Sequence, residues 1–144
     1  MSNFTEPLIL NYRPLSNLWR TEREFKYFVG DEESKDCVTV PKYFFTDLAS
    51  IPWPASMLIP KSGKFNQGAV LHDFLYSLLG EVVEPYNLKK RTRAECDLIF
   101  KEAMRVLGVN GFKIILMFQA VRRFGFIPWN IHKRKLEKQN KEEA

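Results

Sequence analysis

The spacing of apolar residues changes once along this 144-residue chain, and that change constrains the fold more than any other feature. Short β-prone runs occupy residues 8–10, 25–29, 37–40 and 43–45, and the second and third are separated by a polar segment typical of a hairpin loop. From Phe65 onward, apolar residues recur at helical spacing. The sequence therefore predicts an α+β fold, in which an N-terminal antiparallel β unit packs on about three core helices.

Two of the predicted helices form a pair. The first runs from Phe65 to Gly80, which supplies a C-terminal stop. The second opens at Thr92, which has the spacing of a capping box with Glu95, and it ends at Gly108. The connection between Gly80 and Thr92 is short and is interpreted as a loop, so we expect these two helices to pack antiparallel.

The third predicted helix covers residues 112–124, and its run 114–118 is apolar nearly all round. This pattern is typical of a helix buried among other elements, so we expect the core to centre on it. Three prolines within residues 47–63 exclude a continuous helix there and predict an ordered loop over the core.

Composition predicts a single globular domain over residues 1–128 and a charged tail over residues 129–144, where little is left to bury. The two cysteines, Cys37 and Cys96, exclude a disulfide-rich scaffold and a cysteine metal cluster. We expect no signal peptide and no transmembrane segment, because no apolar run is long enough. The net charge of +5 favours anionic partners but falls short of a nucleic-acid-binding signature, so we expect no nucleic acid partner.

A histidine stands on the core-facing side of the first helix. At helical spacing, His72 shares its face with Leu75, Tyr76 and Leu79, and Asp97 occupies the matching border of the second helix. A carboxylate on one ring nitrogen leaves the other free to accept a proton from water, which is the arrangement of general-base hydrolysis. A buried His–Asp hydrogen bond can equally serve only to tie two helices together. The spacing alone leaves both interpretations open.

Two further acids are candidate ligands for a divalent cation. Asp73 adjoins His72, and Asp47 precedes the proline-rich segment, whose carbonyl groups are available as additional oxygen ligands. Calcium takes about six to eight oxygen ligands, so it is the metal that this set predicts. In the alternative interpretation Asp47 braces a turn and Asp73 faces solvent.

Several aromatic residues and a basic stretch are candidates for surface contacts. Trp53, Trp129, Phe124 and Phe126 are candidates for an exposed patch that binds a lipid or a partner protein, although aromatics beside prolines more often fasten a loop to the core. The stretch 132–135 is a candidate basic arm for nucleic acid or phospholipid headgroups, or simply part of a solvated tail.

Three blocks of sequence resemble phage and prophage proteins grouped as domain of unknown function 1353. They read FTDLASIP at 45–52, AVLHDFLY at 69–76 and RAECDLIF at 93–100, the last followed by Ala103-Met104. The resemblance implies a phage or prophage origin, a small α+β domain, and a location in the cytoplasm of an infected bacterium or in the virion.

A second, local resemblance is to the His-Asp helix of secreted phospholipase A2. It implies that His72 activates water, that Asp73 binds calcium, and that Tyr76 and Asp97 hold His72 in place. The glycine-rich calcium loop and the flanking disulfide cysteines of that family are missing here, so Asp47 would have to do part of the loop's work.

Two functions of different classes therefore remain open. The first is a hydrolase that acts on a phospholipid or on another ester or phosphodiester. The second is a non-catalytic phage accessory or tail-associated virion protein, or a binder of a host factor, in which the His/Asp cluster is structural.

Overall fold

A computed structural model describes residues 3–46, 65–84 and 87–143. Strands precede the first helix, and a further strand pair separates that helix from the next. The strands are β1 (Leu10–Arg13), β2 (Leu18–Thr21), β3 (Phe25–Phe28), β4 (Cys37–Val40), β5 (Phe45–Thr46), β6 (Glu81–Glu84) and β7 (Asn87–Lys90). The helices are α1 (Phe65–Ser77), α2 (Arg93–Val106), α3 (Gly111–Phe124) and α4 (Phe126–Glu143).

The strands pair antiparallel in three small sheets. Strand β2 lies between β1 and β5, while β3 pairs with β4 and β6 pairs with β7. The predicted α+β fold with an N-terminal antiparallel unit is therefore confirmed. Strand β2 was not predicted, because Arg20 and Thr21 make its second half look polar, and the predicted run 8–10 overlaps β1 only at Leu10.

The β3–β4 hairpin packs on α1 and α2. Tyr27 on β3 donates its hydroxyl to Glu102 Oε1 at 2.6 Å, and the same oxygen accepts the Gly30 N–H at 2.8 Å, which ties the hairpin to α2. The largest apolar cluster joins the two layers and includes Phe25, Tyr27, Val38, Val40, Val70, Leu71, Leu75, Cys96, Ile99 and Ala103.

Helices α1 and α2 lie antiparallel, as predicted. A Cβ at Gly68, near the start of α1, would lie 3.5 Å from the side chain of Leu107, the C-cap of α2, whereas Tyr76 near the end of α1 contacts Asp97 in the first half of α2. The predicted capping box is present at the start of α2, where Thr92 accepts from the N–H of Glu95 and the Glu95 carboxylate accepts from the N–H of Thr92.

The segment between these helices is a hairpin, so its interpretation as a loop was wrong. Strands β6 and β7 pair with Val82 opposite Lys89, and the N–H of Arg91 donates to the Gly80 carbonyl at 2.9 Å. The β-branched residues Val82 and Val83 favour this extended backbone. The hairpin leaves the antiparallel pairing of α1 and α2 intact.

Helix α3 is not buried on all sides, which corrects the expectation that the core centres on it. Its buried residues are Ile114, Met117, Ala120 and Val121, while Phe112 and Ile115 are among the most exposed apolar residues of the described chain. Among the described residues, therefore, only one side of α3 is covered, and the larger core cluster lies instead between β3–β4, α1 and α2.

Helix α4 is a continuous helix with no fully buried residue. This helix spans the predicted boundary between the globular domain and the charged tail, at residues 128 and 129, and that boundary stays a prediction. The proline-rich loop predicted over residues 47–63 lies outside the described residues. In the described part of the chain, no helix has both the length and the apolar character needed to cross a membrane.

Candidate functional site

His72 and Tyr76 lie one turn apart on α1 and both reach the same atom of α2. His72 Nε2 is 2.8 Å from Asp97 Oδ1, and Tyr76 donates its hydroxyl to that oxygen at 2.5 Å. Residues four apart share a helix face, so the antiparallel pairing of the helices is enough to bring both side chains to Asp97. The predicted contact between His72 and Asp97 is present.

The second carboxylate oxygen of Asp97 is held by two arginines that sequence reasoning missed. Arg122 Nη1 on α3 donates to Oδ2 at 2.6 Å, and Arg93 Nη1 approaches the same atom at 3.5 Å. Arg93 also donates to the carbonyl groups of Val121 at 2.9 Å and Arg122 at 3.1 Å, and so fastens the end of α3. The spacing of Arg93 and Asp97 signals an i,i+4 pair, but the position of Arg122 depends on how α3 docks.

Asp97 is fully buried and is nevertheless held as a carboxylate. Burial on its own would raise the pKa of Asp97, but hydrogen bonds from His72, Tyr76 and Arg122 outweigh burial and lower that pKa below its usual value. Burial and the hydrogen bond to Asp97 both raise the pKa of the Tyr76 hydroxyl, which therefore stays a proton donor.

The ionised state of Asp97 fixes the tautomer of His72. A carboxylate only accepts hydrogen bonds, so Nε2 of His72 carries a proton, and it is Nδ1 that presents a lone pair when the ring is neutral. Within the described ranges no residue hydrogen-bonds to Nδ1. The His72 side chain keeps 8% of its surface exposed, against 0% for Asp97.

Aromatic rings hold the imidazole in place. The His72 ring lies 4.1 Å from the Tyr76 ring and 4.7 Å from the Phe100 ring, measured between centroids. Tyr76 in turn meets Trp129 edge-on at 5.1 Å, which links α4 to the cluster. Trp129 was a candidate either for an exposed aromatic patch or for packing on the core, and here it packs against Tyr76.

Gly125 leaves room for the donors behind Asp97. A Cβ atom at this position would clash with the Val121 carbonyl, the Tyr76 hydroxyl and Arg93 Nη1. Any larger residue would therefore displace groups that hold Asp97 and His72. Sequence reasoning missed this role, because it depends on how closely α1, α2 and α3 approach one another.

Of the two predicted cation ligands, only Asp73 lies in the described part of the structure. Asp73 follows His72 on α1 and is partly buried, while Asp47 lies outside the described residues. Among the described residues, no group of three or more His, Cys, Asp or Glu side chains is placed to hold a metal ion. The calcium site of Asp73 and Asp47 stays a prediction.

One family model matches this chain, under the description "Protein of unknown function (DUF1353)", over residues 19–121. That span is well over half of the chain. The chain belongs to the DUF1353 family. The matched part of this DUF1353 protein contains His72, Tyr76, Arg93 and Asp97, whereas Arg122 lies one residue beyond it. No curated protein and no solved structure matches the chain.

Proposed function

We propose that this DUF1353 protein is a hydrolase in which His72 activates water for attack on an ester or phosphodiester. The observation that carries this function is the His72–Asp97 contact at 2.8 Å, in which a buried, ionised carboxylate accepts a hydrogen bond from Nε2–H and so leaves Nδ1 of the neutral ring to accept a proton. A histidine held in this way is an effective general base at neutral pH.

The proposed reaction has two proton transfers. Nδ1 of His72 takes a proton from water as the water oxygen bonds to the carbonyl carbon or the phosphorus. The Asp97 carboxylate stabilises the imidazolium that forms. As the bond to the leaving oxygen breaks, the imidazolium returns its proton to that oxygen, so an alcohol and an acid are released. Tyr76 and Arg122 act as positioning residues, because they hold Asp97 rather than water.

The substrate class in this proposal is a phospholipid or another ester or phosphodiester. An anionic substrate is favoured by the formal net charge of +5 and by the partly exposed guanidinium of Arg122 beside the site. We also propose a phage or prophage origin, with action in the infected bacterium or from the virion, on the strength of the family resemblance. No step is assigned to calcium, since among the described residues no group of three or more His, Cys, Asp or Glu side chains is placed to hold a metal ion.

The test is a hydrolysis screen on the wild-type chain. The substrates are p-nitrophenyl esters, bis(p-nitrophenyl) phosphate and phospholipid vesicles, each with calcium and with a chelator. His72→Gln should then lower the rate on any active substrate by about 10²- to 10⁴-fold, the usual contribution of a positioned general base. His132→Gln is the matched control, because it removes the only other histidine of the chain and should leave the rate unchanged.

Two results would contradict the hydrolase. One is a wild-type chain inactive on every substrate under both conditions. The other is a His72→Gln variant that is as active as the His132→Gln control.

A second candidate is a non-catalytic phage accessory or virion protein in which the cluster is structural. It is favoured by the two arginines that join α2 to α3: Arg122 on α3 pairs with Asp97 on α2, and Arg93 on α2 donates to the carbonyl groups of Val121 and Arg122. In that case His72→Gln disturbs one of the hydrogen bonds that the buried Asp97 carboxylate accepts and should destabilise the fold by about 1–3 kcal/mol, with no hydrolysis to lose. Urea denaturation of the two histidine variants is therefore read together with the hydrolysis screen: a destabilised His72→Gln variant and a wild type inactive on every substrate would favour this second candidate.

A further inference from the structure

The net positive charge of the chain is confined to one part of the sequence. Residues 111–144 contain eight lysines and arginines and three glutamates, whereas residues 1–110 contain fourteen basic and fourteen acidic residues. The formal charge of +5 is therefore carried entirely by the part that holds α3 and α4. Such a separation creates a local positive field that a uniform charge distribution would not.

Large apolar side chains are exposed in the same part. Phe124, Phe126, Ile127 and Ile131 each keep 45–50% of their surface exposed, and they are adjacent where α3 meets α4. We call these four residues the junction patch. Ile127 and Ile131 lie one turn apart on α4, and half-exposed Phe and Ile side chains gathered at one helix junction are typical of a surface that docks onto something apolar.

The outer face of α4 combines both properties. Ile127, Ile131, Arg134 and Lys138 follow one another at helical spacing and are all exposed. Trp129 lies on the opposite side of the helix, where it packs on Tyr76. The inner side thus attaches α4 to the fold, while the outer side presents two isoleucines followed by two cations.

From this arrangement we infer that the junction patch and the basic face of α4, which consists of Arg134, Lys135 and Lys138, dock onto an anionic phospholipid surface. Apolar side chains enter the boundary between headgroups and acyl chains, while lysine and arginine pair with the headgroups. Nucleic acid would satisfy the cations but leave the Phe and Ile side chains in water. A second copy would place the same positive charge against its own. This inference concerns binding and does not depend on the proposed hydrolysis.

The experiment is vesicle co-sedimentation of the wild-type chain. Vesicles of phosphatidylcholine alone are compared with vesicles that contain about 30 mol% phosphatidylglycerol, at about 0.05 M and about 0.5 M salt. We expect binding to the anionic vesicles to exceed binding to the neutral vesicles by about tenfold or more, and to weaken at the higher salt concentration.

Two sets of variants separate the charged and the apolar contributions. Arg134→Glu, Lys135→Glu and Lys138→Glu combined should lower partitioning by about tenfold or more. The matched control reverses three exposed cations elsewhere, through Lys26→Glu, Lys90→Glu and Arg105→Glu, and should bind like the wild type. Ile127→Ser with Ile131→Ser should weaken binding at both salt concentrations, because burial of apolar surface is not screened.

Several outcomes would overturn the inference. Equal binding to neutral and anionic vesicles, or equal losses in the α4 triple variant and its control, would show that the basic face is not used. A duplex DNA that binds the chain and displaces it from vesicles, with no effect of the isoleucine changes, would assign the face to nucleic acid. Sedimentation as a dimer that the isoleucine changes dissociate would assign it to a second copy. Vesicle binding is read without turnover, so it can fail or succeed separately from the hydrolysis screen.

Discussion

Asp97→Asn is the substitution that probes the site most deeply. The change keeps the shape of the side chain but removes the charge that four donors share: His72 and Tyr76 on one oxygen, Arg93 and Arg122 on the other. The amide nitrogen of Asn is a donor, so it must replace one of the two acceptor oxygens and faces at least one donor in the wild-type arrangement.

The expected loss follows from how buried the donors are. Hydrogen bonds to a charged group contribute about 1.5–3 kcal/mol each. The arginine side chains are 21% and 33% exposed and can be rehydrated, so the buried donors His72 and Tyr76 dominate. An Asn oxygen in the place of Oδ1 can still accept from both, but without the negative charge these hydrogen bonds are about half as strong, and the amide group then meets the two arginines. The expected loss is about 2–4 kcal/mol in the free energy of unfolding, or about 5–15 °C in Tm for a domain of this size.

The assay is urea denaturation of wild type and variant across the acid range. Because the folded-state pKa of Asp97 is lowered, its stabilisation is fully present above the pKa of the unfolded chain, near pH 4, and is lost as pH falls through the lower folded value. The difference between wild type and Asp97→Asn should therefore shrink below about pH 4. Asp31→Asn in an exposed turn is the control, with an expected change within about 0.5 kcal/mol. A loss below about 1 kcal/mol, or a difference that stays constant with pH, would refute this reasoning.

Three further predictions concern the framework around the site. Gly80→Ala should destabilise the fold by about 2 kcal/mol or more, because φ is +76° and the new Cβ would clash with a backbone carbonyl. Gly30→Ala, at φ +93° but in open space, should destabilise it by only about 1 kcal/mol. Thermal melts of the two variants, measured side by side, test this difference. In the folded chain, Ellman's reagent should react with the partly exposed Cys37 and leave Cys96 unmodified until urea is added, because burial raises the pKa of the Cys96 thiol to about 12; equal rates would contradict this. Thr92→Ala removes the cap of α2 and should lower the free energy of unfolding by about 1 kcal/mol, as measured by urea denaturation, and an unchanged value would show that the cap is dispensable.

The parts of the fold that local chemistry determines were predictable from sequence. The start of α2 follows from the hydroxyl and carboxylate of its capping box, and the contact between His72 and Asp97 follows from helical spacing on two adjacent helices. Both predictions needed only the residues of one or two neighbouring elements.

The parts that depend on tertiary packing were not predictable. Helix α3 reads as buried because Ile115 and its neighbours are apolar, yet nothing in the described chain covers that side. Arg122 reaches Asp97 only through the docking of α3, which no spacing reveals. The β6–β7 hairpin is too short for a periodic signal, so its eight paired residues were taken for a loop.

The protonation of the His72 ring tests the proposed mechanism most directly. The tautomers are distinguished by the ¹⁵N chemical shifts of the two ring nitrogens, measured by NMR on the ¹⁵N-histidine-labelled chain at the pH of the hydrolysis assay. The His132→Gln variant removes the signal of the only other histidine, so the His72 signals can be assigned. The mechanism predicts a protonated Nε2 that donates to Asp97 and an unprotonated Nδ1. A proton on Nδ1, with or without one on Nε2, would contradict the assignment of His72 as the base that activates water.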